Sequence, residues 1–265
     1  MLITSVFEST IRLVYPISLP RHVLHLCRRG FKDLLSIGNQ SRPKIFDLNI
    51  KRVSPLYEQV VEVPERVTLV GFTSDPWHAQ HAIVFNEQGE QEKGYTGEGS
   101  QNESSGKERG QIVRGISGEA VEILEPLNVA KVKADLETLY AQGVQSLAVV
   151  LAHSYTFPQH ELLIGKLAKQ VGFKHVSLSS QLLPMIKMVS RGVSSTADAY
   201  LTPVLGDYLD GFYSGFEGGR DGGLKVEFMG SDGGLCDLDV GPGPIHDRVS
   251  IANSPVLHVC RTFRD

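Results

Sequence analysis

The spacing of apolar and polar side chains changes several times along this chain, and each change marks an element. Between Tyr57 and Val63 the apolar positions fit a strand, Val61 and Val63 lying on one face against Val60 and Glu62, and Val67 to Phe72 predicts a second. The two are expected to be antiparallel neighbours. Asn128 suits the N-cap of a helix from Val129 to Gln142, on which Val132, Leu136, Leu139 and Tyr140 recur with helical spacing before Gly143 supplies a stop. Ser146 to Ala152 is a continuous apolar run of strand length, the pattern of a strand covered on both faces, and so predicts a parallel sheet. Pro158 fits the first turn of the next helix, which carries Leu163, Leu167 and Val171 on one stripe and ends at Gly172. His175 to Leu178 predicts another strand. Ser194 or Ser195 suits the cap of a segment reaching Phe216, where Ala199, Pro203, Leu205, Tyr208, Leu209 and Phe212 are spaced for two helices broken at Pro203. Leu224 to Met229 is the last predicted strand. Strands and helices in this alternation predict an α/β protein, a mostly parallel sheet with flanking helices.

Two stretches lack core material. Asn86 to Gly110 is Gly, Glu, Gln and Ser with almost no apolar residue, so it is expected to be a mobile, disordered insertion. From Asp237 onward two Gly-Pro pairs and the absence of any sustained period predict a tail without regular structure. The 265 residues suffice for one large domain or two small ones, and a formal charge of -4 with no basic stripe argues against a nucleic-acid partner. Glu8, Arg12, Pro16 and Pro20 interrupt any membrane span or secretory core in the first twenty residues, which read as a leader or a transit peptide. Three cysteines without metal-ligand spacing fit a reducing, cytosolic compartment.

Specific strings carry more information than composition. GFKDLLSIGNQSRPKIFDLNI (Gly30 to Ile50), LAVVLAHSYTFPQHE (Leu147 to Glu161), GFKHVSLSSQLLPMIKMVSRG (Gly172 to Gly192), ADAYLTPVL (Ala197 to Leu205) and VEFMGSDGGL (Val226 to Leu235) occur in this order. Together they resemble the N-terminal half of ATP-dependent 5-oxoprolinases of the hydantoinase/oxoprolinase family. The resemblance implies a domain plan: a divergent leader over 1–29, the hydantoinase/oxoprolinase N-terminal domain over 30–189, the start of the hydantoinase A domain over 190–236, and a divergent tail over 237–265. It also implies part of an actin-like, ribonuclease-H-like ATPase fold. The chemistry implied is phosphorylation of the amide oxygen of 5-oxo-L-proline by ATP with Mg²⁺. Water then opens the lactam to L-glutamate, a step of glutathione metabolism.

The phosphate-binding turns of that family are Gly-rich: Asp-x-Gly-Gly-Thr near its start, Ser-Gly-Pro-Ala-Gly-Gly soon after the SDGGL motif, and a later Gly-Gly-Thr. None occurs in this sequence. In Gly241 to Pro244 two prolines remove backbone donors, so the segment is a poor substitute. ATP binding by this chain is therefore doubtful, and the chain is expected to be an incomplete, inactive form of such an enzyme.

Candidate substrate-binding residues remain, each with a structural alternative. Ser231, Asp232, Gly233 and Gly234 follow a predicted strand, where ligands of open α/β sheets bind; a tight turn is the alternative. His153, with Ser154 and Tyr155, ends the buried strand and either faces a cleft or bonds locally. Arg191 and Asp198 either pair with each other or meet an anionic substrate. Arg42 either holds a carboxylate bidentately or anchors its turn through Asp47. His153, His160 and His175 make no recognisable zinc pattern, and no metal is expected from protein ligands alone. Rival readings are a hydantoinase or acetone-carboxylase relative, a non-catalytic piece that docks on a full-length homologue or on itself as a homo-oligomer, and an aberrant gene product.

Overall fold

The computed structural model describes residues 23–38, 55–71, 82–86, 88–93, 110–216, 227–229, 235–237 and 258–260. The first elements are β1 (Val23–Arg28), α1 (Leu34–Ile37), β2 (Gln59–Val63) and β3 (Arg66–Val70). There follow β4 (Val84–Phe85), β5 (Gln91–Lys93), β6 (Gln111–Arg114), β7 (Ala120–Glu125) and α2 (Val129–Ala141). The second half adds β8 (Ser146–Val150), α3 (Gln159–Val171), β9 (His175–Leu178), α4 (Ser179–Leu182) and α5 (Met188–Ser214). Three short strands close the series: β10 (Glu227–Met229), β11 (Leu235–Asp237) and β12 (His258–Cys260).

The central sheet has the order β2-β1-β8-β9, and every pairing in it is parallel. Parallel strands need covering on both faces, and the alternation along β1 and β8 shows how this is met. Leu24, Leu26, Leu147 and Val149 point into one core with Val132, Leu136 and Leu139 of α2 and Ile164 and Ala168 of α3. Val23 and Ala148 pack on the other face with Ala199 of α5. Asn128 caps α2 through its side chain, which accepts from the Lys131 N–H at 3.0 Å. Gly172 ends α3 in the left-handed conformation.

The α/β class with a largely parallel sheet is thus as expected, and four details differ. β1 falls within the segment set apart above as a leader, yet it is an interior strand of the sheet. β2 and β3 are not paired: β2 lies parallel to β1, while β3 joins an antiparallel sheet of order β3-β7-β6. Only Pro64 and Glu65 separate them, and this pair lacks the Gly, Asn or Asp that a two-residue hairpin needs for φ > 0. The helix pair expected around Pro203 is one helix of 27 residues, with Ser195 inside it. Thr202, Pro203, Gly206 and Leu209 are all buried, so packing against the body of the protein outweighs one lost backbone bond. Finally, β10 belongs to a separate antiparallel sheet of order β11-β10-β12. Two stretches expected to be irregular therefore contain strands, namely β12 in the tail, where β11 reaches only its first residue Asp237, and β5, paired with β4, in the polar insertion.

Candidate functional site at the carboxyl rim of the sheet

Loops at the carboxyl ends of parallel strands collect ligand-binding groups because strand order reverses there and leaves a crevice. Here β1 and β8 lie side by side at the centre, with Cys27 opposite Val150. The chain leaving β8 turns sharply through Leu151 to Thr156. His153 carries φ 57 in this turn, the left-handed region, and is the only non-glycine residue to do so among the described residues. Such a conformation costs free energy and persists only where its surroundings hold it.

Two buried charges, one from each flanking layer, do the holding. Glu161 in the first turn of α3 is 0% exposed, and its Oε1 accepts from the Leu151 N–H at 2.8 Å and the Ser179 hydroxyl at 2.7 Å. Its Oε2 accepts from the Ser180 N–H at 2.8 Å. Arg191 of α5, also 0% exposed, donates from Nη2 to the Leu151 carbonyl at 3.0 Å. From Nη1 it donates to the Ser154 and Ser179 hydroxyls. The two charges approach to 3.8 Å. Burial lowers the Arg191 pKa, and the charges of Glu161 and Tyr155 oppose that shift. Residues on both sides of His153 are therefore pinned, and its imidazole is left half-buried at the rim.

The surroundings of His153 are mixed in sign. Burial pushes its pKa below the ordinary value, as do the positive charges of Arg28 and Arg191, against the opposing pull of Glu65 and Glu119. It is accordingly neutral at physiological pH and offers one N–H donor. Arg28 ends β1, half-buried, with its guanidinium 5.1 Å above the Phe31 ring and no ion pair among the described residues. Glu65 is buried, with Oε2 2.9 Å from His160 Nδ1 and Oε1 unpartnered. Tyr155 packs beside His153 at 6.3 Å between ring centroids, and burial, then the charge of Glu119, raises its phenol pKa.

A second polar cluster lies under α5. His175 Nε2 is 2.9 Å from Asp198 Oδ2, and the Thr202 hydroxyl donates to Asp198 Oδ1 at 2.9 Å. Burial alone would raise the Asp198 carboxyl, but these partners outweigh it and hold the pKa below its ordinary value. On the same side of the sheet His25 is buried, stacked on Tyr57 at 5.4 Å, with Nδ1 unpartnered. Burial lowers its pKa to about 4.

Of the residues singled out from sequence, His153 lies at the rim, and Arg191 reaches it from below. Arg191 and Asp198 do not pair with each other. They sit seven residues apart on the buried side of α5, and each has a nearer partner from the strand ends, so the expected mutual ion pair is replaced by two separate networks. Arg42, Ser231, Asp232, Gly233 and Gly234 lie outside the described residues. Arg28, Glu65, Glu161 and Ser179 were not anticipated. The signal for Glu161 was its place one turn before Gly165 and two before Ala168, since a stripe of small residues marks the close-packed side of α3. The predicted stripe of Leu163, Leu167 and Val171 instead flanks the buried one of Glu161, Ile164, Gly165 and Ala168. Among the described residues no three His, Cys, Asp or Glu side chains are grouped to hold a metal. No described helix is long and apolar enough to cross a membrane.

Comparison with known proteins places this geometry in a family. The sequence model of the hydantoinase/oxoprolinase N-terminal region matches residues 20–172, more than half of the chain. The chain belongs to the hydantoinase/oxoprolinase family. It is 46% identical over 209 residues to the 5-oxoprolinase of Saccharomyces cerevisiae, covering 79% of this chain and 14% of that protein. It is 43% identical over 217 residues to the 5-oxoprolinase of Dictyostelium discoideum, covering 82% of this chain and 15% of the relative. The chain thus spans about one seventh of the length of the curated relatives it matches. Among solved structures, nucleotide-free acetone carboxylase shares the fold with a TM-score of 0.52 at 15% identity, over 86% of this chain and 27% of the other. That likeness is one of fold, the α/β body with its parallel sheet and flanking helices.

Proposed function

We propose that this polypeptide supplies part of the first lobe of a 5-oxoprolinase-like hydrolase, which uses ATP and Mg²⁺ to open 5-oxo-L-proline to L-glutamate in glutathione turnover in the cytosol. The observation that carries the reading is identity above 40% to proteins named 5-oxoprolinase across about four fifths of the chain. The lactam amide resists water because its C–N bond has partial double-bond character. Phosphorylation of the amide oxygen makes the carbon electrophilic, and phosphoryl transfer depends on loops and metal positioned around the phosphates. This sequence contains none of the family's Gly-rich phosphate turns. The chain alone is therefore proposed to be inactive, with its rim available to the substrate side of a complete active site.

Two assays test this. Purified chain mixed with 5-oxo-L-proline, ATP and Mg²⁺ is expected to release no glutamate above background. A chimera of the yeast 5-oxoprolinase carrying this chain's residues 23–216 in place of its own is expected to keep ATP-dependent glutamate release and to ignore hydantoins. A folded chimera that hydrolyses hydantoins in preference to 5-oxo-L-proline would overturn the substrate assignment.

A further inference from the structure

We infer that Arg28 and His153 form a binding site for one small monocarboxylate at the carboxyl rim between β1 and β8. The inference deepens the function proposed above by giving the substrate's carboxylate a place, and it rests on that reading only for the choice of probe. Four observations carry it.

Arg28 stands at the end of an interior parallel strand, half-buried, and finds no carboxylate among the described residues. An arginine so placed, with its guanidinium carbon 5.1 Å from the Phe31 ring centroid, is suited to bidentate capture of a planar anion. β8 ends at Val150, which pairs with Cys27 next to Arg28, and His153 follows three residues later, so both residues belong to the same end of adjacent strands. The imidazole is held in the left-handed turn by a clamp of buried charges that reaches in from both faces of the sheet. A turn that needed only to leave the strand would not require that investment of buried charge. Finally, the sign balance around the site selects the ligand. Glu65 and Glu119 act on His153 electrostatically, and Glu62 accepts from the Gly30 N–H at 2.7 Å just beyond β1. Those acids repel a phosphate of charge near two, whereas one carboxylate facing one guanidinium and one neutral N–H donor is tolerated.

The test uses the whole chain, deuterated and ¹⁵N-labelled, and follows the Gly30 and Tyr155 backbone amides by NMR at constant pH. Sodium L-5-oxoproline is expected to shift both signals saturably. The same lactam without its carboxylate, 2-pyrrolidinone, is expected to bind at least tenfold more weakly. Arg28→Gln is expected to weaken 5-oxoproline binding about tenfold or more, the loss of a charge-assisted pair. His153→Asn, which tolerates the left-handed turn, is expected to weaken it severalfold with the remaining spectrum unchanged. Should Arg28→Gln not fold, Arg28→Lys keeps the charge, loses the fork, and gives the same comparison. Equal binding of 2-pyrrolidinone, tighter binding of inorganic phosphate, wild-type affinity in the Arg28 variant, or no saturable shift at all would each overturn the site. These outcomes are separable from the proposed function. An active chimera with no binding here removes the rim site alone, and binding here with a folded but inactive chimera removes the proposed function alone.

Discussion

At the scale of single residues, the most consequential side chain is one that touches no solvent. Arg191 satisfies three acceptors from two segments, the Leu151 carbonyl and Ser154 in the turn after β8 and Ser179 after β9, and lies 3.8 Å from Glu161. Arg191→Met leaves the Glu161 carboxylate buried with its chief counter-charge gone, and is expected to destabilise the protein by about 3–5 kcal/mol. Because the two charges belong to one network, adding Glu161→Gln should cost much less than a second independent loss, which a double-mutant cycle by denaturant unfolding would read. Additive effects would mean that the clamp is not a unit. His25 yields a prediction of a different kind. Its folded pKa of about 4 lies below its ordinary value of about 6.5, so on acidification the unfolded chain takes up the proton first. Its contribution to stability is intact above pH 6.5 and is lost progressively down to about pH 4, on the order of 3 kcal/mol in all. His25→Phe keeps the stacking on Tyr57 and should flatten that part of the stability profile. An unchanged acid slope in the variant would refute the assignment.

At the scale of elements, close approach decides what periodicity cannot. α3 lies against β9 through Gly165, where an added Cβ would come within 2.9 Å of the Leu178 side chain. Gly165→Ala is expected to cost about 1–3 kcal/mol by overpacking, and Leu178→Val to recover part of it. A neutral or stabilising Gly165→Ala would show that α3 has room to shift. The same contact explains what the sequence did and did not reveal. The buried stripe of α2 was legible from Val132, Leu136 and Leu139 because large aliphatic residues at helical spacing have one reading. On α3 the eye follows Leu163, Leu167 and Val171, whereas the side that approaches the sheet is made of Glu161, Gly165 and Ala168, small or charged residues whose burial depends on partners far away in sequence. For the same reason β8 and β9 were readable as strands, while the partner of β2 was not. Pairing depends on β1, whose residues VLHLCR mix His, Cys and Arg among apolar side chains and do not announce an interior strand. The rim site was half legible. His153 stood out as a polar group at a strand end, but Arg28 and Glu161 acquire meaning only when three segments meet.

At the scale of the whole molecule, the described body is well covered on the sheet faces and less so around the start of α5. Ile37 is 53% exposed on α1, Ile186 is 68% exposed before α5, and Val193 is 54% exposed within it. α1 packs against α5, with the Gly192 backbone against the Leu35 side chain, so Ile37 and Val193 lie on neighbouring elements. Single exposed apolar residues are ordinary, but several close together favour association. The chain spans about one seventh of the length of its curated relatives, and exposed apolar side chains grouped in this way suit contact with other protein. The isolated chain is therefore expected to self-associate with rising concentration, seen as an increasing mean mass in sedimentation velocity and as binding of an apolar-surface dye. Ile186→Ser together with Val193→Ser removes two of the three side chains at positions with few packing partners. The pair should shift the sedimentation profile toward monomer while leaving the thermal midpoint within a few degrees. A wild-type chain that stays monomeric at high concentration and binds no dye would sink this expectation, and would show that residues outside the described set cover the start of α5.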